Sequence, residues 1–592
     1  AAARRRRLRR PPRLANPRRR LRLSTLLALA MFATIGVRLV AFQVIETPAA
    51  YAGAGLQDRL SRPIVLPAPR GAIYDRSGAV LAHSVEARYV YADPELVDDP
   101  AATADKLSPL LGIARSELLP RLVKQKRPDG NPSRFEWLAR GVDVDVAKRI
   151  AALNIAGIGV DRDERREVPG GDLAANLIGF TGSDLGGLEG IEARYDETLR
   201  GINGERVVEI GKGALAKEIP GGYRHETPPR PGSSLQLTID RDLQYEVQRM
   251  LSTTARKYKG STAAAVVIDV RTGEVLAQAS HPTYDAADWE KSKPTDREDA
   301  ATSFVVDPGS VHKAIVFGAA LEEGVVRPDS TVVIGPAIRK GDTTIPDVHP
   351  RPAGTRVTLP CILAYSSNVG TIKVADALGA QRLYDYQLRF GLGQATGEGV
   401  PGEAKGRVLE PKDWSDSSHG SIPIGYSVDV TPLQMAAAYA AIANDGTWVQ
   451  PHLVREVIAP DGSRIPIKPP QTRRVISPAN AAALRTILEA VVAVPDATGT
   501  EAAIAGYRVA GKTGTGARVV DGRYVPGEVA SFIGMAPADS PRYVIAIFAH
   551  TPGGGGGAIA APAFREMMAF TLRHYGVPPS GTAPPTFTLF PR

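Results

Sequence analysis

The sequence predicts a mixed α/β protein built from a transmembrane helix, an elongated α+β domain and a larger domain with an antiparallel sheet between helical layers. One long apolar run, Leu23 to Ile45, lies near the N-terminus. The chain has 592 residues, 43% of them hydrophobic, which is enough for more than one packed core. After residue 232, strand patterns alternate with helical patterns, and the last strands follow one another closely, as in an antiparallel sheet.

The N-terminal residues predict a membrane anchor with a cytoplasmic tail. Residues 1–22 contain eleven arginines and no acidic residue. Leu23 to Ile45 is near the roughly 20 residues that span a bilayer, and Arg38 lies close enough to its far end to reach the interface. No Ala-x-Ala cleavage site follows closely, which favours an uncleaved anchor. The positive-inside rule then predicts a tail in the cytoplasm and an extracytoplasmic chain after residue 45.

Charge and cysteine content exclude several function classes. The net charge is +9, but outside the eleven N-terminal arginines there are 61 basic and 63 acidic side chains. The basic charge therefore belongs to a tail, and no nucleic-acid partner is predicted. Cys361 is the only cysteine, so an intramolecular disulfide is excluded, and its apolar surroundings predict a core position. No His-Glu-x-x-His or Cys-x-x-Cys pattern is present, and neither a metal nor a cofactor is predicted.

Residues 46–231 contain no candidate nucleophile, metal spacing or phosphate loop, and are interpreted as a mixed α/β pedestal that holds the next domain off the membrane. Arg70 to Gly78 reads as an extended segment closing on a turn, and Gly187 to Gly201 is a second segment rich in glycine and charge. Pro228 to Gly232 has the composition of a linker.

Residues 232–575 are predicted to form the larger domain. Its predicted elements are a strand at Ser234 to Ile239, a helix at Arg241 to Tyr258, a hairpin of Ala263 to Asp269 with Val275 to Ser280, a helical region over 358–500, and strands near 506–511, 529–535 and 542–549. Thr551 to Gly557 reads as a flexible glycine-rich loop. Residues 576–592 have five prolines and read as a disordered or loosely packed tail.

The candidate nucleophile is Ser310. Pro308 and Gly309 break the preceding structure, and the residues from Ala314 to Leu321 are apolar on every face, so a helix that starts here must be buried. Lys313 lies three residues after Ser310 and shares its helix face. A desolvated lysine near a second cation loses its proton more easily and can then activate a serine.

Two further motifs support this interpretation. Ser366-Ser367-Asn368 follows an apolar run, and Lys512-Thr513-Gly514-Thr515 follows a stretch with strand character. Ser-x-x-Lys, Ser-x-Asn and Lys-Thr-Gly together form one catalytic set. In that order the motifs resemble those of the penicillin-binding transpeptidases and serine β-lactamases. With the anchor and pedestal, the chain is similar to a class B penicillin-binding protein, a monofunctional peptidoglycan D,D-transpeptidase, and most like the septal cell-division type.

The resemblance implies a function and a role for each motif residue. Ser310 would attack the carbonyl of a stem peptide ending in D-Ala-D-Ala and form an acyl-enzyme, which an amine of a neighbouring stem peptide resolves. Lys313 is the implied base, Ser366 the proton relay, Asn368 the amide that holds the peptide, and Lys512 the cation that lowers the pKa of Lys313. Thr513, Gly514 and Thr515 form the implied substrate-binding strand, with both threonines on the substrate carboxylate. β-Lactams are implied as ligands, and a membrane glycosyltransferase of the shape, elongation and division family and other division proteins as partners.

Three alternative functions remain open. An elongation-type transpeptidase of the same class shares every motif. A membrane-anchored serine β-lactamase would need no pedestal, and a non-catalytic division scaffold would be expected to lose a motif residue. His312, between the serine and the lysine, departs from the family pattern, and its position predicts a side chain that points away from Ser310.

Overall fold

The computed structural model describes residues 17–41, 60–61, 63–211 and 218–591. The Arg-rich tail before residue 17 and the end of the predicted span, residues 42–45, lie outside the described residues. The chain divides into two compact units, residues 1–66 with 204–228 and residues 67–203 with 229–592. The predicted active-site residues all belong to the second unit.

The first unit contains the candidate membrane helix. The helix Pro17–Val40 begins inside the Arg-rich segment, and its stretch Leu21–Val40 is long and apolar enough to cross a membrane. Its leucines are exposed, as expected of side chains that face lipid. A three-stranded antiparallel sheet in this unit is formed by Ile64–Leu66, Gly204–Val208 and Arg224–Thr227.

In the second unit, one mixed sheet joins the pedestal to the catalytic domain. In order across this sheet, the strands are Arg464–Pro466, Val454–Ile458, Ser234–Leu237, Ile73–Tyr74, Val80–Ala92 and Glu136–Val142. A seventh strand, Ile158–Glu167, also pairs with Val80–Ala92. The helices of its pedestal part are Pro100–Leu111, Arg115–Leu122, Val144–Ala152, Ala175–Ile178, Gly190–Arg194 and Asp196–Leu199. Because strands from both sides of residue 231 share this sheet, the two parts are one packed body.

The interpretation of Pro228 to Gly232 as a linker was wrong for its second half. The backbone N–H of Arg230 donates to the Ile202 carbonyl at 2.9 Å, and the N–H of Gly232 donates to Pro69 at 3.1 Å. A Cβ atom on Gly232 would lie 1.8 Å from the Leu199 carbonyl oxygen. The composition indicated flexibility, but the glycine is needed for close packing of two backbone segments.

The two pedestal segments singled out in the sequence meet through buried charges. Arg70 Nε lies 2.6 Å from Glu192 Oε2, and Arg70 also contacts Asp196 at 2.6 Å. Arg166 contacts the other oxygen of Glu192 at 2.7 Å. As predicted, the first segment ends in a turn, at Gly78, whose φ is +91°. This buried network fixes the pedestal strand Ile73–Tyr74 beside Ser234–Leu237.

The catalytic sheet is antiparallel and lies between two helical layers, as predicted. Its strand order is Val275–His281, Thr262–Asp269, Tyr543–Thr551, Arg523–Ala536, Ala510–Val520 and Val306–Asp307. Arg241–Lys257 and Gly555–His574 cover one face, and Lys313–Glu322, Pro432–Ala443 and Pro478–Ala493 lie on the other. Alternate residues of the central strands enter the two separate cores, so both faces are apolar.

The remaining elements of the catalytic domain are short helices and small strand pairs. The helices are Pro294–Arg297, Ala300–Ser303, Leu359–Ala364, Asn368–Leu378, Ala380–Arg389 and Ser418–Ser421. The small strand pairs are Thr331–Ile334 with Thr355–Thr358, Ala337–Lys340 with Thr343–Pro346, Arg407–Val408 with Val428–Asp429, and Thr447–Val449 with Thr472–Arg474.

The C-terminal segment was predicted to be loose, and this was wrong for the described part, 576–591. The Thr358 hydroxyl donates to the Thr588 carbonyl at 2.7 Å, and the Thr358 N–H donates to Leu589 at 3.1 Å. Phe587 and Leu589 pack beside the helix Leu359–Ala364, which leads to Ser366. The prolines of the C-terminal segment prevent regular structure, but burial of Phe587 and Leu589 is sufficient to dock the segment.

Candidate active site

Ser310 lies on a 3₁₀ turn, Gly309–His312, directly before the nucleophile helix Lys313–Glu322. Gly309 has a φ of +58°, and a Cβ atom there would lie 2.3 Å from the Thr515 carbonyl oxygen. Only glycine lets this turn lie so close to the strand of the third motif. The helix is buried through Leu321, as its apolar sequence predicted. Burial of this helix therefore fixes the position of the serine that precedes it.

Lys313 is fully buried and bonded to the second motif. Its Nζ donates to the Ser366 carbonyl at 2.6 Å, to the Ser366 hydroxyl at 3.2 Å and to Asn368 Oδ1 at 2.8 Å. Burial lowers the pKa of Lys313 well below its usual value. The positive charge of Lys512 lowers it further, and the carboxylate of Asp347 offsets part of the effect. A lysine in this environment can be neutral and accept a proton.

Ser366 occupies an elbow between the helices Leu359–Ala364 and Asn368–Leu378. Its φ is +56°, a conformation that a serine adopts only when its surroundings compensate for the strain. In this conformation both the carbonyl oxygen and the hydroxyl oxygen of Ser366 accept hydrogen bonds from Lys313. The contacts with Lys313 therefore help to hold the elbow in its strained conformation.

The sequence did not reveal Asp347, which holds the second motif in place. Asp347 is 5% exposed and follows the strand Thr343–Pro346. The Ser367 hydroxyl donates to Asp347 Oδ2 at 2.5 Å, and the Asn368 backbone N–H donates to Oδ1 at 3.0 Å. Because these two contacts are 20 and 21 residues away along the chain, no local pattern could have identified this residue.

Lys512 lies within the strand Ala510–Val520 instead of after it, since the strand predicted near 506–511 begins later and runs through the third motif. Lys512 is fully buried, and burial lowers its pKa to about 7. Its Nζ donates to the Thr513 carbonyl and to the Thr513 hydroxyl, both at 3.2 Å. The strand therefore places behind the cleft an amine that can be either charged or neutral near pH 7.

These motifs border one cleft of about 440 Å³. Of the eight residues singled out in the sequence, Ser310, Ser366, Asn368, Thr513, Gly514 and Thr515 line the cleft. The other two, Lys313 and Lys512, lie buried behind it. Thr498 and Tyr426, which no motif indicated, also line the cleft, and the Tyr426 hydroxyl donates to the Thr515 carbonyl at 3.2 Å.

The glycine-rich stretch Thr551 to Gly557 was interpreted as a flexible loop, and this was wrong. The helix Gly555–His574 begins within it, and residues 554–557 line the cleft. A Cβ atom on Gly556 would lie 2.1 Å from the Ser531 carbonyl oxygen and 2.5 Å from that of Gly514. The glycines are required because the helix starts in direct contact with the strand of the third motif.

His312 and Cys361 take no part in the cleft. His312 is fully buried; its Nδ1 lies 3.3 Å from the Pro423 carbonyl and its Nε2 2.9 Å from Gln387. Burial lowers the pKa of His312 to about 4. Burial raises the pKa of Cys361 to about 11, so this thiol is unreactive.

Family comparisons agree with this geometry. The penicillin-binding protein transpeptidase domain matches residues 263–569, and the penicillin-binding protein dimerisation domain matches residues 65–237. The chain is 35% identical over 600 residues to the penicillin-binding protein PbpB of Mycolicibacterium smegmatis, covering 95% of this chain and 91% of that protein. The chain belongs to the class B penicillin-binding proteins.

A relative named for D,D-transpeptidase activity and a crystal structure of similar architecture support this membership. It is 36% identical over 520 residues to the peptidoglycan D,D-transpeptidase FtsI of Escherichia coli, covering 86% of this chain and 84% of that protein. The crystal structure of penicillin-binding protein 3 from Mycobacterium tuberculosis with aztreonam covers 89% of this chain and 100% of its own, at 31% identity and a TM-score of 0.69. This penicillin-binding protein is therefore a serine D,D-transpeptidase of peptidoglycan synthesis.

Proposed function

We propose that this transpeptidase cross-links stem peptides ending in D-Ala-D-Ala during septal wall synthesis, with Ser310 as the nucleophile. The observation that carries the proposal is the buried Lys313, whose Nζ contacts Ser366 and Asn368 and faces Lys512. The relative named FtsI supports the septal role. An elongation-type role would use the same residues.

The proposed acylation begins with proton transfer from Ser310 to neutral Lys313. The Ser310 oxygen attacks the carbonyl between the two D-alanines, and the backbone N–H groups of Ser310 and Thr515 stabilise the oxyanion. The C–N bond breaks as the leaving D-alanine amine takes a proton from Lys313 through the Ser366 hydroxyl. Thr515 donates to the terminal carboxylate, Thr513 and Gly514 belong to the same strand along the cleft, and Asn368 holds the peptide.

Deacylation reverses the same proton path. An amine of a second stem peptide attacks the Ser310 ester and loses a proton to Lys313 through Ser366. The new amide forms as the ester bond breaks, and Ser310 regains its proton. Since the acceptor amine contributes both electrons to the new bond, no cofactor is required.

The proposal is tested with a fluorescent penicillin, because crystal structures of penicillin-binding protein 3 from Mycobacterium tuberculosis in complex with aztreonam and with ampicillin indicate that such relatives bind β-lactams. The wild-type protein should be labelled covalently for minutes or longer. Ser310→Ala should abolish labelling, and His312→Ala should leave most of it. A label mapped to any residue but Ser310 would overturn the assignment, and rapid drug turnover would favour a membrane-anchored β-lactamase.

The domain organisation belongs to the same proposal: a cytoplasmic tail at 1–22, a span at 23–45, a pedestal at 46–231, a transpeptidase domain at 232–575 and a tail at 576–592. The apolar helix Pro17–Val40 after an Arg-rich segment supports a cytoplasmic N-terminus. Alkaline phosphatase fused after residue 60 should be active, and an inactive fusion would reverse the orientation. The pedestal would meet a membrane glycosyltransferase and other division proteins, which co-purification with the full chain would identify.

A further inference from the structure

A chain of three hydrogen bonds joins the third motif to the elbow of the second through Thr498. Lys512 Nζ donates to the Thr513 hydroxyl at 3.2 Å, which lies 2.8 Å from the Thr498 hydroxyl. The Thr498 hydroxyl lies 3.2 Å from the Ala364 carbonyl oxygen, two residues before Ser366. The chain thus runs from a buried cation to the backbone of the elbow.

The direction of each bond is fixed by chemistry. A carbonyl oxygen only accepts hydrogen bonds, so Thr498 must donate to Ala364. Its oxygen then accepts from Thr513, whose own single proton is used in that bond. Thr513 is left with its lone pairs toward Lys512, and an oxygen held in this orientation favours the charged form of the lysine.

Thr498 is itself held firmly. Its backbone N–H also donates to the Ala364 carbonyl, at 3.0 Å. On its other side, a Cβ atom on Gly557 would lie 2.5 Å from the Thr498 carbonyl oxygen, so the last helix packs directly against this loop. Thr498 therefore contacts the elbow of the second motif, the strand of the third motif and the glycine-rich helix start.

We propose that Thr498 is a positioning residue for acylation: anchored on Ala364, it holds the Thr513 hydroxyl as an acceptor for Lys512. The inference rests on the proposed function of the cleft. The charged and titratable groups that bear on this pair are Lys313, which faces Lys512, and Asp347, which faces Lys313. Loss of the Thr498 hydroxyl would leave Thr513 free to rotate, and Lys512 would lose its proton at a lower pH.

The test is the pH dependence of the rate at which a fluorescent penicillin acylates the full-length protein. For the wild type the rate should fall on the alkaline side as Lys512 loses its proton. In Thr498→Val, which removes the hydroxyl and keeps the shape, this alkaline limb should move to lower pH by about one unit. Thr498→Ser should restore the wild-type limb, and the matched variant Thr500→Val, two residues along the same loop, should not move it.

The outcomes separate this inference from the proposed function. A lower rate at every pH with an unmoved alkaline limb would show a purely structural role and overturn the inference, while Ser310 labelling would still stand. Failure of the wild type to label at Ser310 would overturn the proposed function itself. Melting temperatures of the variants distinguish a lost fold from a lost hydrogen bond. If the valine variant unfolds, Thr498→Ala, which also lacks the hydroxyl, should show the same shift of the alkaline limb, and an unmoved limb there would overturn the inference.

Discussion

The pedestal and the active site both bury charged side chains, but they arrange them differently. In the pedestal, Arg70 and Arg166 each contact Glu192, and Arg70 also contacts Asp196, so every arginine faces a carboxylate. In the active site, Lys313 and Lys512 are both buried and the charge of Lys512 lowers the pKa of Lys313, while the nearby carboxylate of Asp347 is bonded to Ser367 and Asn368 instead. Ion pairing neutralises the pedestal cluster, whereas the active-site cluster contains two groups of like charge.

The difference separates a structural use of buried charge from a chemical one. Paired ions keep their charges and fix backbone segments, because each satisfies the other's hydrogen bonds. Two buried lysines cannot both remain charged without a large cost, so the proton is held weakly and can move. Substitutions in the pedestal cluster should therefore reduce stability, and substitutions in the active-site cluster should reduce activity.

Breaking the pedestal network should cost the most stability. Arg70→Ala would leave Glu192 and Asp196 with fewer partners, and the loss of one member of a buried ion pair costs about 3 to 5 kcal/mol. The melting temperature should fall strongly. Arg115→Ala, which removes an exposed pair with Asp105, should cost less than about 1 kcal/mol. Equal effects of the two changes would mean that burial of the network is unimportant.

Removing the amine at Lys313 should have the opposite effect, with stability kept and activity lost. Lys313→Met keeps an unbranched side chain of similar length, so the melting temperature should hold or rise, since a desolvated amine is lost. Penicillin acylation should fall by about a hundredfold or more, the usual loss for a general base. Lys373→Met, on the exposed face of the helix Asn368–Leu378, is the control and should change neither. Retained acylation in the Lys313 variant would assign the base elsewhere.

Asp347→Asn should weaken acylation to a smaller extent. One carboxylate oxygen becomes an amide nitrogen, which cannot accept from Ser367 or Asn368, and a bond to a charged group contributes about 1.5 to 3 kcal/mol. We expect a rate roughly tenfold lower, measured by penicillin labelling at fixed time. Asp342→Asn, at an exposed hairpin turn, should leave labelling unchanged. A normal rate for Asp347→Asn would show that the elbow holds its shape without this carboxylate.

The smallest effect concerns a buried acid away from the cleft. Burial, followed by the nearby Asp299, raises the pKa of Glu398 well above its usual value. The folded protein therefore keeps a proton that the unfolded chain releases above about pH 4.3, so wild-type stability falls as pH rises from there toward the folded pKa. Glu398→Gln should remove this loss, giving a higher melting temperature at pH 7 than the wild type and little gain at pH 4. A Glu117→Gln control, on an exposed helix position, should show no such difference.

Local patterns predicted the elements of this molecule better than its long-range contacts. The all-apolar run after Lys313 and the continuous apolar strand Thr262–Asp269 predicted buried elements, because a run that is apolar on every face must be covered on every face. The three motifs predicted the residues that border the cleft. Asp347 and Thr498 escaped notice because each acts on residues distant in sequence.

Composition predicted flexibility wrongly wherever glycine and proline residues allow close packing. Gly232 and Gly556 allow backbone segments to touch, and the proline-rich end of the chain docks through Phe587 and Leu589. Loops and close contacts use the same residue types, so composition alone cannot separate them. A three-dimensional neighbour is needed to tell them apart.

The central claim is that burial beside a second lysine lowers the pKa of Lys313 and makes it a base, and the pH dependence of Ser310 acylation tests it most directly. Single-turnover rates with a penicillin should rise through an acid limb far below the ordinary lysine value of about 10.4. Above that limb the rate should pass a maximum and fall as Lys512, with a pKa of about 7, loses its charge. In Lys512→Met the acid limb should move to higher pH, because Lys313 no longer faces a cation. A rate that climbs steadily toward pH 10, unchanged in position by Lys512→Met, would contradict the account.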